Sequence, residues 1–204
     1  MQITKANLNW RGPLTPITRK IERIICHHPA GGTLQSNHRF HRDTRGWTGL
    51  GYSYWIELNG TIYEVRGRNI GAHSGARWNE ISYGICFEGN FETQLMTDAQ
   101  LASGVWLCAK LCREENLTAR DIVGHGTRFG GTSNTLCPGK NFRMAELKAG
   151  TEEALKPEPA PKPAAGKFYR VQVGAFRDRV NAQRLVQQLK EKGFEAFIRE
   201  EVER

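Results

Sequence analysis

The most regular apolar pattern in the chain is Leu101, Val105, Leu107, Cys108 and Leu111, which recur at helical spacing behind Thr97-Asp98-Ala99-Gln100. That tetrapeptide has capping-box spacing, so a helix is predicted from 98 to about Glu115. Shorter apolar runs read as strands. Arg23-Ile24-Ile25-Cys26 ends at His27-His28-Pro29, and Gly31-Gly32 stops regular structure before Thr33 caps a second helix reaching about Thr44. Residues 51–58 and 61–65 flank Asn59-Gly60, the signal for a type I′ hairpin. Further strands are predicted at 82–88 and at Ile122-Val123-Gly124, the latter ending at His125 before a Gly/Thr/Ser/Asn loop that closes at Cys137-Pro138-Gly139. Strands alternating with helices predict an α/β domain, a central and mainly mixed β-sheet flanked by helices, with ligands at strand ends.

The pattern breaks at 156–167, where Pro157, Pro159, Pro161 and Pro163 alternate with Glu, Ala and Lys. Such a segment favours polyproline II and spaces domains without forming a core. Beyond it, 168–173 alternates as a strand, 180–192 carries Leu185, Val186 and Leu189 at helical spacing, Gly193 ends the helix, and 194–198 returns as a strand. The expected organisation is a catalytic domain at 1–150, a proline-rich linker at 151–166 and a small C-terminal βαβ module at 167–204. So small a unit leaves its apolar sheet face and strand edges poorly covered.

Composition narrows the partners. With 39% apolar and 25% charged residues the chain is expected to be soluble, and no apolar run approaches the roughly 20 residues of a membrane helix, so no stable membrane insertion is expected. The first twenty residues lack an apolar h-region, which predicts synthesis in the cytoplasm without a signal peptide. Five cysteines in that setting read as reduced thiols. A net charge of +8 predicts attraction to a polyanion: nucleic acid, anionic membrane or anionic cell wall. No run of five basic residues and no paired Cys/His finger spacing accompanies it, so no nucleic-acid partner is expected.

Candidate chemistry sits where strands end. His27, with His28 beside it, His125 and Cys137 offer two imidazoles and a thiolate, a donor set suited to Zn²⁺. Three protein ligands leave a fourth position open, as in catalytic rather than structural zinc. The plain alternative for Cys137 is a buried thiol before a Pro-Gly turn. Cys108 and Cys112, four apart on the predicted helix, read as core, and His38 and His41 as structural residues of the first helix.

Several short motifs then occur in order: Ile24-Ile25-Cys26-His27-His28-Pro29-Ala30, Arg45-Gly46-Trp47 through Gly51-Tyr52, Gly71-Ala72-His73-Ser74-Gly75, Trp78-Asn79, and Val123-Gly124-His125 through Thr135-Leu136-Cys137-Pro138-Gly139. Together they resemble the type 2 N-acetylmuramoyl-L-alanine amidases and peptidoglycan recognition proteins, across residues 20–145. The resemblance implies the amidase/peptidoglycan-recognition fold, with His27 rather than His28, His125 and Cys137 as zinc ligands. It also implies hydrolysis of the amide between N-acetylmuramic acid and L-alanine in bacterial peptidoglycan, Tyr52 and Thr135 as hydrogen-bonding catalytic residues, and His73, Trp78 and Asn79 as substrate contacts. In the family's recycling branch a glutamate shuttles protons at the position of Cys86; a thiol cannot do this, and Glu88, on the same strand face, is the nearby alternative or else a structural carboxylate.

Residues 168–176 with Ala182, Leu185 and Gly193 resemble the first half of a SPOR-type peptidoglycan-binding domain. Such a tail is expected either to pair with that of a second molecule, giving a homodimer, or to come from a shortened chain. The combination is expected of a phage or prophage endolysin that reaches the wall after release; an autolysin or a recycling enzyme is the variant reading. The rivals from other classes are a recognition protein that binds muropeptides without cleaving them and a basic nucleic-acid-binding module.

Overall fold

The computed structural model describes residues 1–127, 130–131, 134–157 and 170–200. They belong to two compact units, Met1–Pro157 and Glu158–Arg204. In the first unit, β1 (Ile3–Lys5), β2 (Arg23–His27), β3 (Tyr54–Ile56), β4 (Ile62–Glu64), β5 (Ser82–Phe87) and β6 (Ile122–Gly124) form one six-stranded sheet in the order β1-β4-β3-β5-β2-β6. Only the β3–β4 pair is antiparallel, which makes the sheet mixed. The sheet's two faces are set by the period-2 alternation of side chains. Ile24 and Cys26 of β2, Tyr54 and Ile56 of β3, and Ile85 and Phe87 of β5 enter one core with Leu107, Cys108, Leu111 and Leu147. These last four come from α3 (Asp98–Glu115) and α4 (Met144–Leu155), which cover that face. Trp55 and Cys86 enter a smaller core with Leu34, Leu50, Tyr52 and Val65 on the other face. Because His27 lies opposite Cys86 in the parallel β2–β5 register, it projects to this second face.

Helix α1 (Leu34–Arg39) starts at Thr33, whose side chain forms a capping box with Ser36, and the chain winds on as a π-helical turn over Phe40–Thr44. His38 and His41 point inward from this segment, and their Nδ1 atoms accept the backbone N–H groups of Leu50 (3.2 Å) and Gly51 (3.1 Å). Both are therefore structural, as expected, and they fasten the loop leading into Tyr52. Helix α3 keeps the predicted capping box, Thr97 with Gln100, and ends on Asn116 in the left-handed conformation.

The hairpin between β3 and β4 forms, but with a different turn. Gly60 N–H donates to Glu57 O (2.9 Å), Glu57 N–H to Thr61 O (3.0 Å), and only Gly60 of the loop has positive φ (86°), the pattern of a type I turn closed by a left-handed glycine rather than of type I′. The docking of α3 accounts for this. Ser103 Oγ donates to Gly60 O (2.6 Å), and a Cβ on Gly60 would stand 2.8 Å from Ala99 O.

Among the described residues four elements were not predicted: β1, α2 (Ala76–Asn79), a 3-10 turn at Ala119–Asp121 and α4. The expected boundary at residue 150 falls inside α4, where Thr151 is fully buried and its hydroxyl donates to Leu147 O (2.7 Å).

In the second unit, α5 (Arg179–Glu191) is capped by Asp178, and Gly193 ends the helical segment with φ of 85°. Phe168 and Tyr169 of the first expected strand lie outside the described residues. Residues 170–176 and 194–200 carry no strand among the described residues, so the βαβ module is represented there by its helix. An isolated strand pair with one helix has little apolar surface to bury. Homodimer pairing, expected because only half of a SPOR-type domain is present, finds no support in the described residues, which form no sheet in this unit. No described helix is long and apolar enough to cross a membrane.

Candidate metal centre

Strand β2 delivers His27 as its last residue, and the loop after β6 delivers His125, whose N–H donates to Cys26 O (3.2 Å). Cys137 arrives from the far side of that loop, tied back by Gly126 N–H to Cys137 O (2.6 Å). One side-chain donor atom from each of the three lies within 4.8 Å of the others, a spacing that can hold a metal ion. Cys137 Sγ is 3.7 Å from His27 Nδ1 and accepts the His28 N–H at 3.4 Å. The His28 imidazole turns away: its Nδ1 accepts the Phe91 N–H at 3.0 Å. Of the two adjacent histidines, only His27 joins the cluster, because alternation sends them to opposite faces.

The electrostatics favour neutral imidazoles. Burial, with His73 and His125 nearby, pushes the His27 pKa well below its usual value, and burial lowers that of His125. The Cys137 thiol is raised to about 12 by burial, against a smaller lowering from the His28 N–H. Neutral imidazoles are ready ligands, whereas the thiol must lose its proton to a metal.

Tyr52 lies beside this cluster, its ring centroid 5.2 Å from that of His27. Burial above all, then the Cys86 and Cys137 thiols, raises its phenol well above the usual range. The Thr135 hydroxyl accepts the Cys137 N–H (3.2 Å), which places it on the ligand loop. Glu88 Oε2 accepts the Trp55 indole N–H at 3.0 Å, a contact that fits the structural-carboxylate reading.

The three residues expected to contact substrate divide. Asn79 builds its loop, with Oδ1 accepting the N–H groups of His73 and Ser74, each at 2.9 Å. Trp78 is half-buried, with the Arg77 guanidinium 5.2 Å from its ring centroid. The His73 imidazole turns inward: its Nδ1 is 3.0 Å from His27 Nε2 and 2.9 Å from Ser74 Oγ, and burial holds its pKa down to about 3. Ser74 and Gly84 were missed by sequence reasoning. Their only signal was proximity, Ser74 to His73 in the motif and Gly84 to Cys86 on a strand.

Fold and site define an α/β protein with a His-His-Cys cluster suited to a metal at the ends of parallel strands. The chain belongs to the N-acetylmuramoyl-L-alanine amidase family, whose sequence pattern matches residues 17–140; residues 165–204 match the SPOR domain. It is 31% identical over 140 residues to peptidoglycan-recognition protein SC2 of Drosophila melanogaster, covering 63% of this chain and 73% of that protein. The endolysin N-acetylmuramoyl-L-alanine amidase LysCS of Clostridium intestinale is similar in structure, with a TM-score of 0.65 and 33% identity, over 72% of this chain and 93% of LysCS. A solved complex of tracheal cytotoxin with the ectodomains of peptidoglycan recognition proteins LCa and LCx contains a chain that matches with a TM-score of 0.61 and 28% identity, over 69% of this chain and 92% of that one.

Proposed function

We propose that this protein hydrolyses the amide between N-acetylmuramic acid and L-alanine in bacterial peptidoglycan, with Zn²⁺ held by His27, His125 and Cys137. The observation that carries the reading is the approach of these three donors to within 4.8 Å of one another in a chain of the amidase family. Two imidazoles and a thiol fit a borderline-soft ion, and three ligands leave a position for chemistry. The chemistry such an ion supplies is Lewis acidity, which polarises a scissile carbonyl and makes water nucleophilic near neutral pH.

The chain's own residues do the rest. Tyr52, kept protonated by burial, donates its O–H to the oxyanion that develops on the attacked carbonyl. Thr135 accepts the Cys137 N–H and so keeps its own proton available as a second donor. His73, with Trp78 and Asn79 of the adjoining helix α2, is the substrate-contacting group in this reading.

Likeness to the endolysin LysCS supports a lytic enzyme; in this reading it is of phage or prophage type, made in the cytoplasm and acting on the wall after release. The SPOR match and the charge of +8 support retention on an anionic wall. Likeness to recognition proteins supports muropeptide binding in the same site, and retention of all three donors beside Tyr52 favours cleavage over binding alone.

The test incubates purified sacculi with the protein, with chelator, and with zinc restored, while following free muramyl lactyl groups and L-alanine amino termini. Chelation and Cys137→Ser should both abolish release. Full activity of Cys137→Ser with no bound zinc would overturn the proposal.

A further inference from the structure

His27 is held from behind by a second imidazole. Its Nδ1 faces Cys137 Sγ at 3.7 Å, while its Nε2 faces His73 Nδ1 at 3.0 Å and Ser74 Oγ at 3.4 Å. We infer that His73, assisted by Ser74, is a positioning residue that fixes the tautomer and ring orientation of His27 for metal binding. This rests on the zinc reading above.

Proton bookkeeping supports it. A neutral imidazole carries one N–H. With the Nδ1 lone pair of His27 directed at the metal position, the proton sits on Nε2 and is donated backwards. His73 Nδ1 must then accept, which puts the His73 proton on its own Nε2. Ser74 O–H, 2.9 Å from His73 Nδ1, is a second donor to the same acceptor.

The arrangement has a visible cost. His73 Nε2 is buried and has no hydrogen-bond partner among the described residues, whereas buried polar atoms in folded proteins are nearly always paired. The socket is also shaped for the ring. A Cβ on Gly84 would stand 2.7 Å from His73 Cδ2, and one on Gly71 2.3 Å from the same atom. Gly84 lies opposite Ile25 in the β2–β5 register, two positions before the Cys86 that faces His27, so the sheet itself leaves the gap. Asn79 Oδ1 holds the His73 and Ser74 N–H groups and fixes the loop from the other end. Metal-binding histidines generally donate their second N–H to a carboxylate, carbonyl or water. Here a neutral imidazole takes that place, fixing orientation without adding negative charge.

The experiment measures zinc affinity of the full chain by competition with a chromophoric chelator, alongside the unfolding midpoint of the metal-free protein. His73→Phe, which keeps a ring but removes the acceptor, should weaken zinc binding about 10- to 100-fold. Its metal-free midpoint should not fall, since the stranded Nε2 is gone. His73→Gln, which offers Oε1 to His27, should recover most of the affinity. Wild-type affinity in a folded His73→Phe overturns the inference, as does an equal loss in both variants that tracks a lower metal-free midpoint. If His73→Phe does not fold, His73→Asn, too short to reach His27, takes its place against His73→Gln, and equal affinities overturn the inference. A wild-type protein that binds no zinc in the same titration removes the zinc reading itself; tight wild-type binding with an indifferent His73→Phe removes only the role of His73.

Discussion

Cys137 Sγ lies 3.7 Å from His27 Nδ1 across 110 residues of chain. One donor ends a central strand and the other closes a loop, so a metal bridging them would pin the loop to the sheet. An ordering cost normally carried by the loop alone would then be offset by ligation.

Zinc affinity should therefore depend on pH. Burial raises the Cys137 thiol to about 12, and metal binding must displace its proton, while His27 and His125, both lowered, are neutral already. One proton leaves per ion, so apparent affinity should rise about tenfold per pH unit between about pH 7 and 8.5. Chelator competition across that range checks it, and a flat profile contradicts a thiol ligand.

Tyr52→Phe should lower kcat by about 100-fold, the usual effect of losing one oxyanion donor. Zinc content should stay at the wild-type level, because Tyr52 is not one of the three residues whose donors converge on the metal position. Metal analysis beside turnover on sacculi separates the two; a loss of zinc would make Tyr52 structural.

Glu88→Gln should change kcat by less than about threefold, whereas loss of a general acid or base costs about 100-fold or more. The amide oxygen can still accept the Trp55 indole N–H now bound at 3.0 Å. A large fall in kcat with normal folding would return Glu88 to proton transfer.

Acid should destabilise the metal-free protein. Burial, then Arg45 and Arg66, lowers the His41 pKa to about 4, below the ordinary 6.5. Above 6.5 both folded and unfolded states are neutral and the full stability is present. Between 6.5 and about 4 the unfolded state binds the proton first, so stability falls as pH falls, by about 1.4 kcal/mol per pH unit for this group. Denaturant unfolding at several pH values checks the slope, and His41→Gln should reduce it by this one group's share, leaving the contributions of His27, His73 and His125, which are lowered too.

The sequence by itself determined what is local. The short apolar runs at 23–26 and 82–88 mark strands, buried on both faces, and the Thr33 and Thr97 caps mark where helices begin, because both signals act within a few residues. Motif order was enough to choose His27, His125 and Cys137 as a ligand set. Packing decided the rest. Strand β1, only Ile3–Lys5, exists because β4 pairs with it, and the Gly60 turn takes its shape because α3 docks on it. Glu88 Oε2 meets the Trp55 indole N–H, and the His73 ring packs where Gly84 leaves room for it. Periodicity and capping are properties of neighbours in the chain. Which nitrogen meets which across 46 residues, as His27 Nε2 meets His73 Nδ1, follows from how the strands and loops fit together in space.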